Sequence, residues 1–462
     1  MAPGGERYAG LDIGTTSVSC AVIDLATGGV VGTWSRRHHA ELKAARPDEH
    51  LQDPDRLLQV ARDLLEEALA DSGPIYGLGV TGQMHGILYL DPEGRAVSPL
   101  YTWLDGRAGR PGPNGVPYHK WLGEQVGCTV PVGFGAATHF VNVQESAVPS
   151  KARALCGIPE YVAMHLAGAR FPVTDPTLAH GWGLFDPSRA DFDREAWQRL
   201  GAPRLALPEV AERGRILGYR TGAFPTCTPL GDNQASFLGS VREPEHSVLV
   251  NIGTSGQISF LDQLLGPSSP ALPALEKRPY PGGRWLFVGA SLTGGKALES
   301  LAALVAEIVQ VATGQVLEDP YQVLASVGEA PAGPPLLVDT RLAGSRANPD
   351  VRGSISNISL QNFTLAHLVH GFCQGIVHEL YDLWMGAGER LDARLKCLVG
   401  SGNALRANHL LREHLTATFG KCLYIPAYRE EAAVGAAVHC AAIVRGEPVD
   451  QVVPRVVTYG EK

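Results

Sequence analysis

Two segments far apart in the chain combine a glycine with hydroxyl side chains in a pattern that can bind phosphate. Residues 11–22 contain Gly14-Thr15-Thr16, and residues 250–260 contain Gly253-Thr254-Ser255. In both segments, apolar and β-branched residues alternate with small polar ones, which predicts a β-hairpin whose turn exposes N–H groups and hydroxyls. A purely structural hairpin needs only the glycine, so the repeated hydroxyls indicate two halves that bind one phosphate chain.

The two hairpins differ at one informative position. The first has the carboxylate Asp12 just before its turn, whereas the second has the neutral Asn251. A carboxylate repels phosphate unless a divalent cation lies between them, so Asp12 predicts Mg²⁺, bound mainly through water molecules.

A second carboxylate, Asp232, lies in the stretch 231–236 at a predicted helix start. Aspartate is a favoured N-cap residue, so a capping role is one interpretation. The other is a general base, because phosphoryl transfer from ATP to an alcohol needs a carboxylate that accepts the hydroxyl proton. Asp12 and Asp232 would then divide metal binding and proton transfer between them.

Polar residues follow a buried strand predicted at 75–80. Gln83 and His85 lie at its end, where open α/β sheets bind ligands, and Gln83 offers both a donor and an acceptor to a hydroxyl-rich ligand. His85 could equally be a satisfied core or surface histidine.

The stretch 102–107 contains an aromatic residue between polar ones. Trp103 presents a flat apolar face to the C–H surface of a sugar, and Asp105 and Arg107 can bond hydroxyls or each other. A structural tryptophan beside a structural ion pair is therefore the alternative.

Two glycine-rich turns, in residues 291–299 and 399–408, open predicted helices in the second half of the chain. Turns of this kind let a base and a ribose lie against the backbone. The chain has no Gly-x-x-x-x-Gly-Lys-(Ser/Thr) motif, so a nucleotide site must be of the hairpin type.

Length and composition limit the class of protein. A chain of 462 residues suits two domains of about 200 residues, and 45% apolar with 19% charged residues is ordinary for globular proteins. A formal net charge of −8 argues against nucleic acid or an anionic membrane as partner. No run reaches about 18 apolar residues and no signal peptide is evident, so we expect a soluble cytoplasmic protein. The eight cysteines lack paired spacing, which predicts buried free thiols.

The order of predicted elements is strands then helices, twice, which indicates an α/β architecture with a mixed sheet in each half. Helices are predicted near 55–70, 137–148, 158–167, 193–200, 295–312, 364–388, 403–419 and 430–444, and strands near 8–36 and 395–399. Residues 242–245 are charged and contain a proline, which suggests a hinge. Residues 107–117 and 264–283 are rich in proline and glycine, and we predict surface loops there.

Taken in order, these motifs resemble those of the FGGY family of carbohydrate kinases over nearly the whole chain. The resemblance implies two actin-like ATPase (ribonuclease-H-like) domains with a cleft between them. Residues 1–243 would bind the sugar and supply the catalytic base, and residues 244–462 would bind ATP. Stretches 133–138, 174–183 and 289–292 are most similar to the members of the family that phosphorylate sedoheptulose.

The resemblance also implies roles for individual residues. Asp232 matches the proton-accepting aspartate, and Asp12 matches the metal site. The implied sugar contacts are Gln83, Met84, His85, Trp103, Asp105 and Asn233. The implied ATP contacts are Gly14, Thr15, Thr16, Gly253, Thr254, Gly294, Gly295, Glu299, Gly400, Gly402, Ala404 and Asn408. One departure is Ser345, which stands where the family usually has a glutamate, so the ion pair of that element is in question.

The activity implied is transfer of phosphate from ATP, with Mg²⁺, to the terminal primary hydroxyl of a free ketose, with sedoheptulose favoured. Xylulose, ribulose or another polyol remains an alternative substrate. A catalytically silent sugar- or ATP-sensing protein is an alternative from another class, although the presence of both Asp12 and Asp232 argues against it. The expected partner is a small sugar, with no nucleic acid or membrane, and the chain would be a monomer or a homodimer.

Overall fold

A computed structural model shows a chain that divides into two compact units. The first extends to Arg242 and includes Pro279–Arg284 and Tyr428–Thr458; the second comprises Glu243–Arg278, Trp285–Ala427 and the residues from Tyr459 onward. The boundary at Arg242 falls in the segment predicted as a hinge. The structure describes residues 5–113, 115–201, 205–220, 223–261, 272, 275–345, 348, 350–386 and 394–460.

The first unit is built on a mixed sheet. Its strands are β1 (Arg7–Ile13), β2 (Ser17–Asp24), β3 (Val30–Arg37), β4 (Leu51–Gln52), β5 (Leu78–Gly82), β6 (Leu88–Leu90), β7 (Leu100–Tyr101), β8 (Ala154–Cys156), β9 (Val173–Thr174), β10 (Phe185–Asp186), β11 (Asp191–Phe192), β12 (Glu209–Val210), β13 (Ile216–Arg220), β14 (Phe224–Cys227) and β15 (Leu230–Gly231). The main sheet has the order β13-β14-β5-β1-β2-β3, and β15 also pairs with β5. Strand β1 is antiparallel to β2 and parallel to β5.

Helices cover this sheet. They are α1 (Pro54–Ser72), α2 (Tyr118–Val126), α3 (Gly135–Gln144), α4 (Ile158–Ala167), α5 (Pro176–Gly181), α6 (Arg194–Arg199) and α7 (Asp232–Leu238). Helix α1 begins where Asp53 accepts hydrogen bonds from the N–H groups of Asp55 and Arg56, with Pro54 in the first turn. Its apolar positions share one core with α4, β1, β2 and β5, which confirms the helical spacing predicted there.

The second unit repeats this plan. Its strands are β16 (Ser247–Ile252), β17 (Gly256–Leu261), β18 (Glu276–Tyr280), β19 (Arg284–Ser291), β20 (Leu337–Asp339), β21 (Ser354–Ser356), β22 (Cys397–Ser401) and β23 (Cys422–Tyr424). Its helices are α8 (Gly294–Thr313), α9 (Pro320–Ala325), α10 (Leu365–Met385), α11 (Asn403–Ala407) and α12 (His409–Phe419). The main sheet has the order β18-β19-β17-β16-β22-β23, with β16 antiparallel to β17 and parallel to β22.

The last two helices, α13 (Glu431–Arg445) and α14 (Val449–Val456), lie in the first unit. Helix α13 packs closely on the sheet, because a methyl group at Gly10 of β1 would overlap the carbonyl oxygen of Ala433. The first unit thus takes residues 428–458 from the end of the chain, which a division at residue 243 assigns to the second half.

The predicted fold class, two α/β domains with mixed sheets, is confirmed. Several local predictions were wrong. The strand expected at 75–80 is Leu78–Gly82, because its pairing with β1 starts at Leu78. The predicted helix 403–419 is interrupted at Asn408, whose side chain caps α12.

The two predicted surface loops also differ from expectation. A 3₁₀ turn at Arg107–Gly109 buries Arg107 and Ala108, so the first loop is not wholly a surface loop. Within 264–283, Glu276–Tyr280 forms strand β18, while residues 264–271, 273 and 274 lie outside the described residues. The cysteines are free as predicted, but not all are buried: Cys128 and Cys422 are exposed and Cys397 is half-buried.

Candidate active site

The loop of the first hairpin is held by side chains from outside it. The N–H of Gly14 donates to the carbonyl of Ser17 at 3.0 Å, which closes the turn. The carbonyl of Thr15 accepts hydrogen bonds from Gln52 Nε2 at 2.8 Å and His38 Nε2 at 2.9 Å. The loop backbone is therefore fixed, while Thr16 is exposed at its tip.

Gln83 supports the same loop. Its Nε2 donates to Gln52 Oε1 at 2.8 Å and lies 3.4 Å from the carbonyl oxygen of Gly14. The side chain is buried, and its Oε1 has no hydrogen-bond partner among the described residues. Gln83 thus connects the end of β5 to the hairpin loop.

Two carboxylates of the first unit act on a third, Asp12. Burial raises the pKa of Asp12 to about 8, and the charges of Asp232 and Glu430 add to this rise. The Oδ1 atom of Asp12 is buried without a hydrogen-bond partner in the described part of the chain. A buried carboxylate near like charges requires a proton or a cation to neutralise it.

These residues fit Mg²⁺. The described residues contain no group of three or more His, Cys, Asp or Glu side chains that could hold a metal ion. Mg²⁺ does not require one, since it commonly binds through one or two carboxylates together with phosphate and water. The unpartnered Asp12 oxygen beside a second carboxylate provides that kind of site.

Asp232 occupies the first position of α7, and the N-cap is Gly231. Asp232 is therefore not the N-cap residue of α7. The residue is partly exposed at the end of β15, next to the end of β5. Its neighbour Asn233 is almost completely buried.

His85 and Met84 follow the end of β5. His85 has φ 72°, an uncommon conformation for a bulky residue that is found disproportionately at functional sites. Its ring stacks on Phe134 with centroids 4.3 Å apart, and its Nδ1 lies 2.6 Å from the carbonyl oxygen of Gly181. Since a carbonyl only accepts, the proton of the neutral ring lies on Nδ1. Met84 is buried and lies against Gly181 and Gly231.

Trp103 and Asp105 have different surroundings although they are two residues apart. Trp103 is 44% exposed, and its Nε1 donates to Thr15 Oγ1 at 3.0 Å. Asp105 is fully buried, and its two oxygens accept from Arg107 at 2.6 and 3.1 Å and from the N–H of His50. The structural ion pair considered as the alternative for Asp105 is present, and it occupies both oxygens.

In the second unit, the second hairpin loop lies on the N-terminus of α8. The N–H of Gly295 donates to the carbonyl of Gly253 at 2.8 Å, and the N–H of Lys296 donates to that of Thr254 at 3.1 Å. A Cβ on Gly295 would overlap the Gly253 carbonyl oxygen and lie 3.3 Å from Ala404. Gly295 therefore lets the hairpin loop approach α8, and the N–H groups of Gly295 and Lys296 bond the loop.

Gly402 completes this group. It has φ 90° and precedes α11, and a Cβ there would lie 2.6 Å from Asn251 Oδ1. Gly253, Gly295, Gly402 and Ala404 therefore lie together, with Thr254 exposed beside them. Gly294 adjoins this group at the start of α8, and Gly400 is buried within β22.

Two other predicted ATP contacts lie farther along their helices. Glu299 is exposed one turn after Gly295 on α8. Asn408 accepts from the N–H groups of Leu410 and Leu411 at 2.9 and 3.2 Å, so its Oδ1 is used as a helix cap.

Ser345 closes a turn in place of the family glutamate. The N–H of Asn348 donates to Ser345 Oγ at 3.0 Å, and Arg346, Ala347 and Pro349 lie outside the described residues. Four residues earlier, Arg341 pairs with Asp339 at 2.5 Å.

Comparison with known proteins identifies the family. A model of the N-terminal domain of the FGGY family of carbohydrate kinases matches residues 7–239, and a model of its C-terminal domain matches residues 250–443. The chain therefore belongs to the FGGY family of carbohydrate kinases, enzymes that phosphorylate sugars with ATP.

Among its relatives, the mouse protein named sedoheptulokinase is 29% identical over 446 residues, covering 89% of this chain and 92% of that protein. The human sedoheptulokinase is 28% identical over 451 residues with the same coverage. A crystal structure of xylulose kinase from Rhodospirillum rubrum superimposes with a TM-score of 0.81 at 22% identity, covering 99% of this chain and 94% of that one. That similarity shows a shared fold. Among the described residues, no helix is both long enough and apolar enough to span a membrane.

Several residues of the site are not predicted by any sequence pattern. Gln52 and His38 hold the first hairpin loop, but each is an isolated polar residue with no motif around it. Glu430 acts on Asp12 from a segment more than 400 positions later in the chain. Phe134 lies in a stretch that contributed to the family resemblance, yet nothing in the sequence places its ring on His85.

Proposed function

We propose that this carbohydrate kinase transfers the γ-phosphoryl group of ATP to the terminal primary hydroxyl of a free ketose, with sedoheptulose as the preferred substrate. The observation on which this rests is the pair Asp12 and Asp232, a carboxylate with one buried, unpartnered oxygen among the described residues beside a second, partly exposed carboxylate. Two carboxylates in different environments can take the two roles that the reaction requires.

Asp232 would accept the proton of the attacking hydroxyl. Its place at the end of β15 leaves it partly exposed, whereas Asp12 has a buried oxygen without a partner among the described residues. Asp12 would hold Mg²⁺, which neutralises charge on the transferred phosphate when it is bound. Thr15 and Thr16 would add hydroxyl donors from the first hairpin loop.

The sugar would bind in the first unit. Trp103 offers an exposed apolar face, and His85 and Asn233 offer polar atoms near the ends of β5 and β15. Met84 would form an apolar wall, and Gln83 would act chiefly on the hairpin loop. Asp105 would support Trp103 through the buried ion pair, since both of its oxygens already accept hydrogen bonds.

ATP would bind in the second unit, where Gly253, Gly295, Gly402 and Ala404 lie together. Thr254 is exposed at the hairpin tip and would donate to a phosphate. Glu299 would reach the ribose from the next turn of α8, whereas Asn408 would order the start of α12.

Sedoheptulose is favoured over other ketoses because two relatives with that substrate in their names match most of the chain. The preference stays a proposal, since a hydroxyl left without its partner costs only about 1–3 kcal/mol and a few side chains can reset it.

A panel of sugars tests both the kinase reaction and the preference for sedoheptulose. ADP release is measured with sedoheptulose, xylulose, ribulose, gluconate and glycerol, and the position of the phosphate is determined by NMR. We expect the highest kcat/KM for sedoheptulose with phosphate on its terminal carbon; a higher value for another sugar would contradict the substrate assignment.

The Asp232→Asn variant tests the chemistry separately. We expect it to bind ATP and sugar normally while kcat falls by about 10²–10⁴, the usual effect of losing a general base. Near-normal turnover would contradict the role of Asp232.

A further inference from the structure

A buried hydrogen-bond chain ends at the residue that precedes Asp232. The N–H of Gly231 donates to Thr177 Oγ1 at 2.8 Å. The N–H of Thr177 in turn donates to the Asp175 carboxylate at 2.8 Å. Asp175 and Thr177 are 4% and 1% exposed, so water does not compete for these bonds.

The direction of each bond in this chain is determined by chemistry. A backbone N–H can only donate, so the Thr177 oxygen must accept from Gly231. The N–H of Thr177 likewise donates to the Asp175 carboxylate. The Thr177 hydroxyl oxygen therefore bonds the backbone directly ahead of Asp232.

The segment ahead of Asp232 is held on other sides as well. Thr81 Oγ1 donates to the carbonyl of Leu230 at 2.8 Å. A Cβ on Gly231 would lie 2.8 Å from Met84 Sδ, which shows how closely Met84 packs on this backbone. Gly231 has no side chain with which to cap α7, so its position depends on these outside contacts.

We propose that Thr177 is a positioning residue for the general base: it fixes the backbone of Gly231 and thereby the direction in which the Asp232 carboxylate leaves α7. This inference rests on the proposed function of Asp232. Capping of α5 by Asp175 explains the bond from the Thr177 N–H, but it does not explain the bond that the Gly231 N–H donates to Thr177 Oγ1.

The matched variants Thr177→Val and Thr177→Ser test the proposal. Valine keeps the shape but lacks the hydroxyl, whereas serine keeps the hydroxyl. We expect Thr177→Val to lower kcat at least tenfold while KM for sugar and for ATP changes less than threefold, and Thr177→Ser to retain most of the turnover. A normal kcat in a folded Thr177→Val protein would overturn the positioning role. So would a loss of kcat in Thr177→Ser as large as the loss in Thr177→Val.

A double-mutant cycle with Asp232→Asn separates positioning from general damage. If Thr177 acts through Asp232, adding Thr177→Val to Asp232→Asn causes no further loss of the residual turnover. A further tenfold loss would show that Thr177 acts elsewhere. Should Thr177→Val fail to fold, Thr177→Ala serves in the same cycle, since it also removes the hydroxyl that bonds Gly231.

The two proposals fail in different ways. Near-normal turnover of Asp232→Asn alone would contradict the general base itself. A collapse of turnover in Asp232→Asn together with normal turnover in Thr177→Val would leave the base in place and overturn only the positioning role.

Discussion

The indole Nε1 of Trp103 donates a hydrogen bond of 3.0 Å to the hydroxyl oxygen of Thr15. This bond joins a residue proposed to contact the sugar to one proposed to contact phosphate. Because the Thr15 oxygen accepts from the indole, its own hydrogen points elsewhere and is available to a phosphate oxygen. The indole therefore has two roles, an apolar face for the sugar and a donor that orients Thr15.

Replacing Trp103 with phenylalanine separates these two roles. The Trp103→Phe variant keeps an aromatic face but loses the N–H, and a hydrogen bond of this kind contributes about 1 kcal/mol. We expect kcat/KM for ATP to fall about fivefold, with a smaller change in KM for the sugar, in steady-state kinetics. The control is Thr15→Val: if the bond matters, Trp103→Phe has no additional effect on kcat/KM for ATP in that background.

The raised pKa of Asp12 predicts a pH-dependent stability that Mg²⁺ modifies. An unfolded chain loses this proton near its ordinary pKa of 3.8, whereas the folded protein keeps it until about pH 8. The unfolded state thus binds fewer protons between these values, so the free energy of unfolding falls as pH rises, by up to about 1.4 kcal/mol per pH unit. Mg²⁺ should restore the lost free energy of unfolding most strongly near pH 8.

Thermal unfolding at pH 5, 6.5 and 8, with EDTA or with Mg²⁺, checks this prediction. Other buried carboxylates also titrate, since burial raises the pKa of Glu160 and of Asp175 to about 7. The Asp12→Asn variant isolates the contribution of Asp12 and should have a flatter dependence of Tm on pH. An identical pH dependence in both proteins would contradict the raised pKa.

The buried pair of Asp105 and Arg107 should contribute to folding rather than to sugar contact. Asp105→Asn leaves a buried guanidinium without its counter-charge, and we expect a loss of about 3 kcal/mol in the free energy of unfolding. The matched control is the exposed pair Arg36 and Glu67, also within hydrogen-bond distance, where Glu67→Gln should cost less than about 1 kcal/mol. Denaturant unfolding followed by tryptophan fluorescence measures both, and equal losses would contradict the distinction.

The close approach of the second hairpin to α8 should be needed for nucleotide binding. In Gly295→Ala the added methyl would overlap the Gly253 carbonyl oxygen, so we expect the loop to shift and the Kd for ATP to rise at least tenfold. Gly328→Ala is the control, because a Cβ there has no heavy atom within 4 Å. Calorimetric titration with an ATP analogue compares the two variants, and unchanged affinity in Gly295→Ala would show that the close approach is dispensable.

Local sequence patterns predicted the elements whose spacing is regular. The two hairpins, α1 with its apolar face and α4 at its observed bounds were all predictable, because each depends on residues close together in the chain. The division at Asn408 was not, since a short polar side chain can lie within a helix or cap one. The burial of Arg107 was also not predictable, because it depends on Asp105 and on Asn142 of α3.

The sequence by itself determined the duplicated glycine-hydroxyl hairpins, the family, and the carboxylates available for chemistry, since these depend on residue type and order. Only the tertiary structure decided the surroundings of each of those residues, and with them the role that each can take. It buried Asp105 in an ion pair, used the first N–H groups of α8 to bind the second hairpin loop, and placed Asp12 where Asp232 and Glu430 raise its pKa. Burial, hydrogen-bond partners and electrostatic fields arise from packing between distant segments, and no local pattern records them.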